Sequence, residues 1–145
     1  RQFQRRAPSI SILPGAKKLL DELRELKIPY IIATSGTVDD ARPMLRLLGR
    51  EDEKVVTRED VKRAKPDPDL FLTAAKALHA KEVDTMVVGD SVWDMLAARR
   101  ANFLGVGVLC GGYGQQELEQ AGAYRVYADP EEMRRHLDEL GVREE

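Results

Sequence analysis

An α/β fold, doubly wound about a mostly parallel sheet, is predicted for these 145 residues by three observations. Short apolar runs alternate with amphipathic helical stretches along the chain. The runs are continuous in apolarity, as in strands buried on both faces. Proline, glycine and capping residues fall where a strand should pass into a helix or a helix should stop.

The elements follow in order. Residues 14–26, PGAKKLLDELREL, set Leu19, Leu20, Leu23 and Leu26 at helical spacing, with Pro14 near the start where a missing N–H costs nothing. Pro29 opens the apolar run YIIA, which ends at TSGT. Thr37 and Asp40 then have the spacing of a capping box for a helix through Leu48, closed by Gly49. VVT at 55–57 is a short strand, and Asp67 and Pro68 read as N-cap and first residue of a helix ending near His79. TMVVG is a strand, 92–101 a helix and LGVGVL a strand. A short helix at 115–121, the strand YRVYA and a helix from Asp129-Pro130 to Gly141 complete the pattern. There is no internal repeat, low-complexity tract or linker.

Composition narrows the function. With 43% hydrophobic and 33% charged residues, the chain has the balance of one globular domain. Its formal net charge of -2, with acids and bases interspersed, gives no basic face for nucleic acid or an anionic membrane. Cys110 is the single cysteine, which excludes an intramolecular disulfide and a cysteine-rich metal site. No apolar run approaches the ~20 residues that span a bilayer, and RQFQRRAPS lacks the apolar segment of a secretory signal. The expected location is the cytoplasm.

In doubly wound sheets ligands gather at the carboxyl ends of the strands. There the chain places Thr34, Ser35 and Gly36 after the first strand, Lys65 in KPDPDLF, and Asp90 and Asp94 after TMVVG. Hydroxyls and amides at a helix start bind phosphate oxygens, and a lysine ammonium offsets phosphoryl charge. Two nearby carboxylates repel unless a cation joins them, and Mg²⁺ takes one or two carboxylates with waters and phosphate oxygens. Asp90 is the expected direct ligand, with Asp94 holding a bound water or orienting the turn. Taken singly, these acids and hydroxyls could serve only as helix caps and Lys65 as a surface lysine. Their conjunction favours a phosphate site. Trp93, Phe71 and Met95 read as core or lining, Cys110 as a small buried hydrophobe, His79 as a helix end and GGYG at 111–114 as a turn.

IIATSG, KPDPDLF and VVGDSVWDM, in that order and at those intervals, resemble motifs II, III and IV of the haloacid dehalogenase (HAD) superfamily. The resemblance is closest to phosphoglycolate-phosphatase-like and β-phosphoglucomutase-like members and runs from about Leu13 to Leu140. It implies a Rossmannoid core, with Thr34 binding the phosphoryl group, Lys65 as the motif III lysine, Asp90 as Mg²⁺ ligand and Asp94 as its support. Motif I, a strand followed by an aspartate nucleophile and a second acid, has no match before Leu13, and neither has the helical cap domain. The expectation is therefore a core lacking its usual first central strand: 1–13 ending a cap or linker region, and 14–145 forming the carboxyl-terminal part of the core. An N-terminal segment or separate fragment carrying the motif I strand and cap would fill the gap; SISIL moving in, or strand exchange between copies, are alternatives. The implied activity is Mg²⁺-dependent hydrolysis of a small phosphorylated metabolite through an aspartyl-phosphate, this chain alone being inactive. Three rivals are a non-catalytic phosphate and Mg²⁺ binding core, a receiver domain, whose acids would precede its lysine, and a metal-independent haloacid dehalogenase.

Overall fold

The computed structural model describes residues 15–141. Helix α1 (Ala16–Glu25) leads to β1 (Ile32–Ala33), α2 (Val38–Leu48) and β2 (Val55–Val56). Then come α3 (Asp69–Leu78), β3 (Met86–Gly89), α4 (Val92–Arg100), β4 (Leu104–Val108), α5 (Gln115–Gln120), β5 (Ala123–Tyr127) and α6 (Pro130–Arg135). Single 3₁₀ turns at Arg58–Asp60, Glu82–Asp84 and Leu137–Leu140 complete the described elements.

All the described strand pairs are parallel, in two sheets ordered β1-β2 and β3-β4-β5. Among the described residues, neither β1 nor β3 carries a second strand on its other side. That is the arrangement expected of a core without its first central strand. The alternative placing SISIL in the gap concerns residues outside those described, as does the role given to Pro14.

Helix α3 joins the two halves. Its Leu70, Phe71, Ala74 and Ala75 pack in one buried cluster with Val56 of β2, Val87 of β3 and Ala97 and Ala98 of α4. Strand β4 shows how both faces are covered. Val106 packs in a cluster with Leu19 of α1, Tyr127 of β5, Met133 of α6 and Leu137 of the last 3₁₀ turn. On the opposite face, a Cβ at Gly105 would come within 3.0 Å of Met95 Sδ, and one at Gly107 within 2.9 Å of Leu118 Cδ1. The alternation of glycine and valine in LGVGV thus lets α4 and α5 lie close on one side while valine fills the other.

The predicted caps organise the connections. Thr37 and Asp40 exchange hydrogen bonds of 3.1 Å, and Gly49 ends α2 in the left-handed region at φ 69°. Two boundaries differ from the sequence reading. Helix α3 begins at Asp69 rather than Pro68, because Asp67 is drawn into a turn by its amide bond to the Ala64 carbonyl (3.0 Å). The last helix breaks at His136, whose ring Nδ1 lies 2.8 Å from the Glu132 carbonyl that a continuing α-helix would use.

Arg50, 2% exposed, ties three segments together. Its guanidinium donates to Asp21 Oδ1 of α1 (2.7 Å), to the Tyr30 hydroxyl (2.7 Å) and to the Leu48 carbonyl at the end of α2 (2.9 Å). The Arg50 bond, with a second from Lys17, holds the Asp21 carboxyl below its ordinary range. Arg50→Ala removes these three bonds and is expected to lower stability by about 1–3 kcal/mol in urea unfolding. Burial, reinforced by its bond to Glu139, pushes the Tyr127 phenol up to about 12. A group with a raised folded pKa stabilises fully below its unfolded value, here about 10, and loses that contribution as pH rises through the folded one. Alkaline unfolding should therefore include a loss of stability between about pH 10 and 12 that Tyr127→Phe removes.

Candidate phosphate and metal site

Ser91, Asp94 and Lys65 lock the turn after β3. Ser91 is the N-cap of α4: its hydroxyl accepts from the Asp94 amide at 3.2 Å, and Asp94 returns the bond to the Ser91 amide at 3.2 Å. The same carboxylate oxygen, Oδ2, also accepts from the Ser91 hydroxyl (3.0 Å) and the Asp90 amide (3.1 Å). The other oxygen pairs with Lys65 Nζ, the two side chains being 7% and 12% exposed. Capping, turn closure and a largely buried ion pair thus meet on one carboxylate. Gly89 makes room for it, since a Cβ there would lie 2.4 Å from Asp94 Cβ and 2.6 Å from Oδ2.

Lys65 arrives from the turn before α3, across a cis bond to Pro66, and its Nζ stands 5.9 Å from the centre of the Phe71 ring. Phe71 belongs to the core cluster, so the segment carrying the lysine is tied to the same helix that joins the sheets.

The other predicted residues form their own turn at the end of β1. Thr34 extends the ladder through its amide to Val56 (2.9 Å), and its hydroxyl accepts from the Gly36 amide at 3.1 Å. That bond uses a lone pair and leaves the O–H able to donate. Ser35 and Gly36 lead into the α2 capping box, where the Thr37 amide and then its hydroxyl hold the Asp40 carboxyl below its ordinary range. The structure therefore brings Lys65, the Asp90 backbone and Asp94 together, while Thr34, Ser35 and Gly36 sit on the β1 turn of the other sheet.

Some assignments shift. Reading the acids as caps missed that Ser91 is the capping residue, although the spacing S-V-W-D carries the signal. Phe71 and Met95 are buried, but Trp93 is half exposed on the first turn of α4. Cys110 is partly buried, and burial, then the charges of Asp129 and Asp90, push its thiol up. Among the described residues no three acid, histidine or cysteine side chains cluster as a metal site. The hard carboxylate of Asp90 nevertheless suits Mg²⁺, which needs only one or two such ligands when waters and phosphate oxygens complete its shell, whereas both Asp94 oxygens are engaged by Lys65, Ser91 and the Asp90 amide.

The family model for haloacid dehalogenase-like hydrolases matches residues 2–102. The chain belongs to this family. Among curated relatives, validoxylamine A 7'-phosphate phosphatase of Streptomyces hygroscopicus is 35% identical over 103 residues, covering 70% of this chain and 48% of the relative. Hexitol phosphatase A of Escherichia coli is 39% identical over 93 residues, covering 63% and 43%. The chain spans about half the length of the curated relatives it matches. A hydrolase structure from Pseudomonas syringae has 52% identity and a TM-score of 0.85, covering 88% of this chain and 60% of that one. A HAD family hydrolase from Deinococcus radiodurans with bound phosphate and sodium has 29% identity and a TM-score of 0.78, covering 89% and 60%. The kinship extends to proteins named phosphoglycolate phosphatase and β-phosphoglucomutase, the branch that the motifs resemble.

Gly89→Ala drives a methyl group into the Asp94 side chain. Urea unfolding should show a loss of about 1–3 kcal/mol, whereas an unchanged midpoint would contradict the tight packing of the turn.

Proposed function

We propose that this chain is the carboxyl-terminal part, residues 14–145, of the core of a phosphatase acting on small phosphorylated metabolites. The observation that carries the reading is the junction at Asp94, where one carboxylate fixes both the Lys65 ammonium and the turn bearing Asp90. The relatives named for the hydrolysis of phosphate esters support the reaction class.

In this reading Thr34, with Ser35 and Gly36, receives phosphoryl oxygens through its hydroxyl and the amides that open α2. Lys65 neutralises charge on the phosphoryl group, held by its ion pair with Asp94 and 12% exposed. Asp90 would hold Mg²⁺, with Asp94 supporting it through the turn; when bound, the ion shields phosphate charge from the attacking carboxylate. The nucleophile is an aspartate outside these residues, on the strand that completes the gap between β1 and β3. Its oxygen bonds to phosphorus as the ester P–O bond breaks, the leaving oxygen takes a proton from a second acid, and water then releases phosphate. The cap that selects substrate also lies outside this chain, and the whole protein works in the cytoplasm. Among the described residues no helix is long and apolar enough to cross a membrane.

The test is turnover of a chromogenic phosphate monoester by the whole protein. Lys65→Ala and Asp90→Ala should each reduce kcat/KM by about 100-fold or more, and Asp94→Asn should raise the Mg²⁺ concentration required. Full activity in the Asp90→Ala protein would refute the metal assignment. Phosphate and Mg²⁺ binding without turnover in the wild type would favour the non-catalytic core.

A further inference from the structure

The loop GGYG, an ordinary turn by sequence, reaches the acid at the end of β3. A Cβ placed on Gly111 would lie 2.4 Å from the Asp90 carbonyl oxygen, 2.8 Å from its Cγ and 3.0 Å from its Cβ. Gly111 is not among the residues with positive φ, so space rather than backbone conformation requires glycine there. Its neighbours differ. Gly112 has φ +89° and open space around it, and a Cβ on Gly114 would make only an ordinary contact of 3.5 Å with Glu117 Oε1.

Both sides of this contact are held by hydrogen bonds. The loop is pinned before Gly111 by the Leu109 amide on the Tyr127 carbonyl (3.0 Å), and after it by the Gly114 amide on Glu117 Oε1 (2.9 Å). Asp90 is pinned from behind by its amide bond to Asp94. We propose that Gly111 is a positioning residue for Asp90: the loop after β4 forms a wall that sets where the Asp90 carboxylate stands, and so the affinity for the cation. The proposal rests on the reading of Asp90 as the Mg²⁺ ligand. Mg²⁺ demands near-ideal octahedral geometry at about 2.0–2.1 Å, so a carboxylate pushed aside by a methyl group loses affinity even in a folded protein.

Calorimetric titration of the metal-free whole protein with MgCl₂ tests this, alongside melting temperatures in EDTA. Gly111→Ala and Asp90→Asn should each weaken Mg²⁺ binding at least about tenfold, while Gly114→Ala should bind like the wild type. With a phosphate monoester as substrate, the Mg²⁺ requirement should rise more than the KM for the ester, a split that general destabilisation does not produce. Wild-type Mg²⁺ affinity in Gly111→Ala, with Asp90→Asn weakened, overturns the proposal and leaves the metal reading standing. Wild-type affinity in Asp90→Asn overturns both. Should Gly111→Ala fail to fold, Glu117→Ala loosens the same loop by removing the acceptor of the Gly114 amide; weakened Mg²⁺ binding in that folded variant supports the proposal, and wild-type affinity overturns it.

Discussion

The Asp94 carboxylate is the interaction on which the rest of the site depends. Without it the first turn of α4 would lose its capping partner, the Asp90 and Ser91 amides their acceptor, and Lys65 its counter-charge. Such convergence is stable because the desolvation cost of a mostly buried carboxylate is offset by several charge-assisted bonds at once. Its geometry also couples two distant pieces of sequence, since Lys65 lies 29 residues before Asp94. The lysine therefore stands in a fixed relation to the acid turn, the preorganisation on which its proposed role with a phosphoryl group rests.

Helix α3 has the corresponding role for the fold. Among the described residues the two sheets are not hydrogen-bonded to each other, and the buried cluster of Leu70, Phe71, Ala74 and Ala75 with Val56 and Val87 holds them in one core. Family membership and the fold matches agree with a doubly wound α/β core, and among the described residues β1 and β3 each keep one edge without a strand partner. Unpaired backbone at such a position costs roughly 1–3 kcal/mol per buried group. This cost is the physical argument behind the proposed completing strand.

Much of this was legible in the sequence because the signals are local. The capping box of Thr37 and Asp40, the left-handed stop at Gly49 and the Asp129-Pro130 start depend on spacings of a few residues, and each occurs where the pattern placed it. Three features were not legible. The break at His136 arises from a side chain competing for a backbone carbonyl. The pairing of Lys65 with Asp94 is a tertiary contact that no local pattern encodes. The reason for glycine at 89 and 111 lies in the distance to Asp94 and Asp90, which a sequence shows only as glycine. For Trp93, read as core or lining, half exposure excludes only the core, because one apolar residue on a short helix carries no signal of which face it occupies.

The central claim is that the β1 turn, Lys65 and Asp90 surround a single phosphoryl site. A crystal structure of the whole protein with Mg²⁺ and inorganic phosphate tests it most directly. The account predicts one phosphate ion with oxygens within hydrogen-bonding distance of the Thr34 hydroxyl and Lys65 Nζ, and Mg²⁺ bridging it to the Asp90 carboxylate. Phosphate bound away from these residues, or Mg²⁺ bound without Asp90, would contradict it.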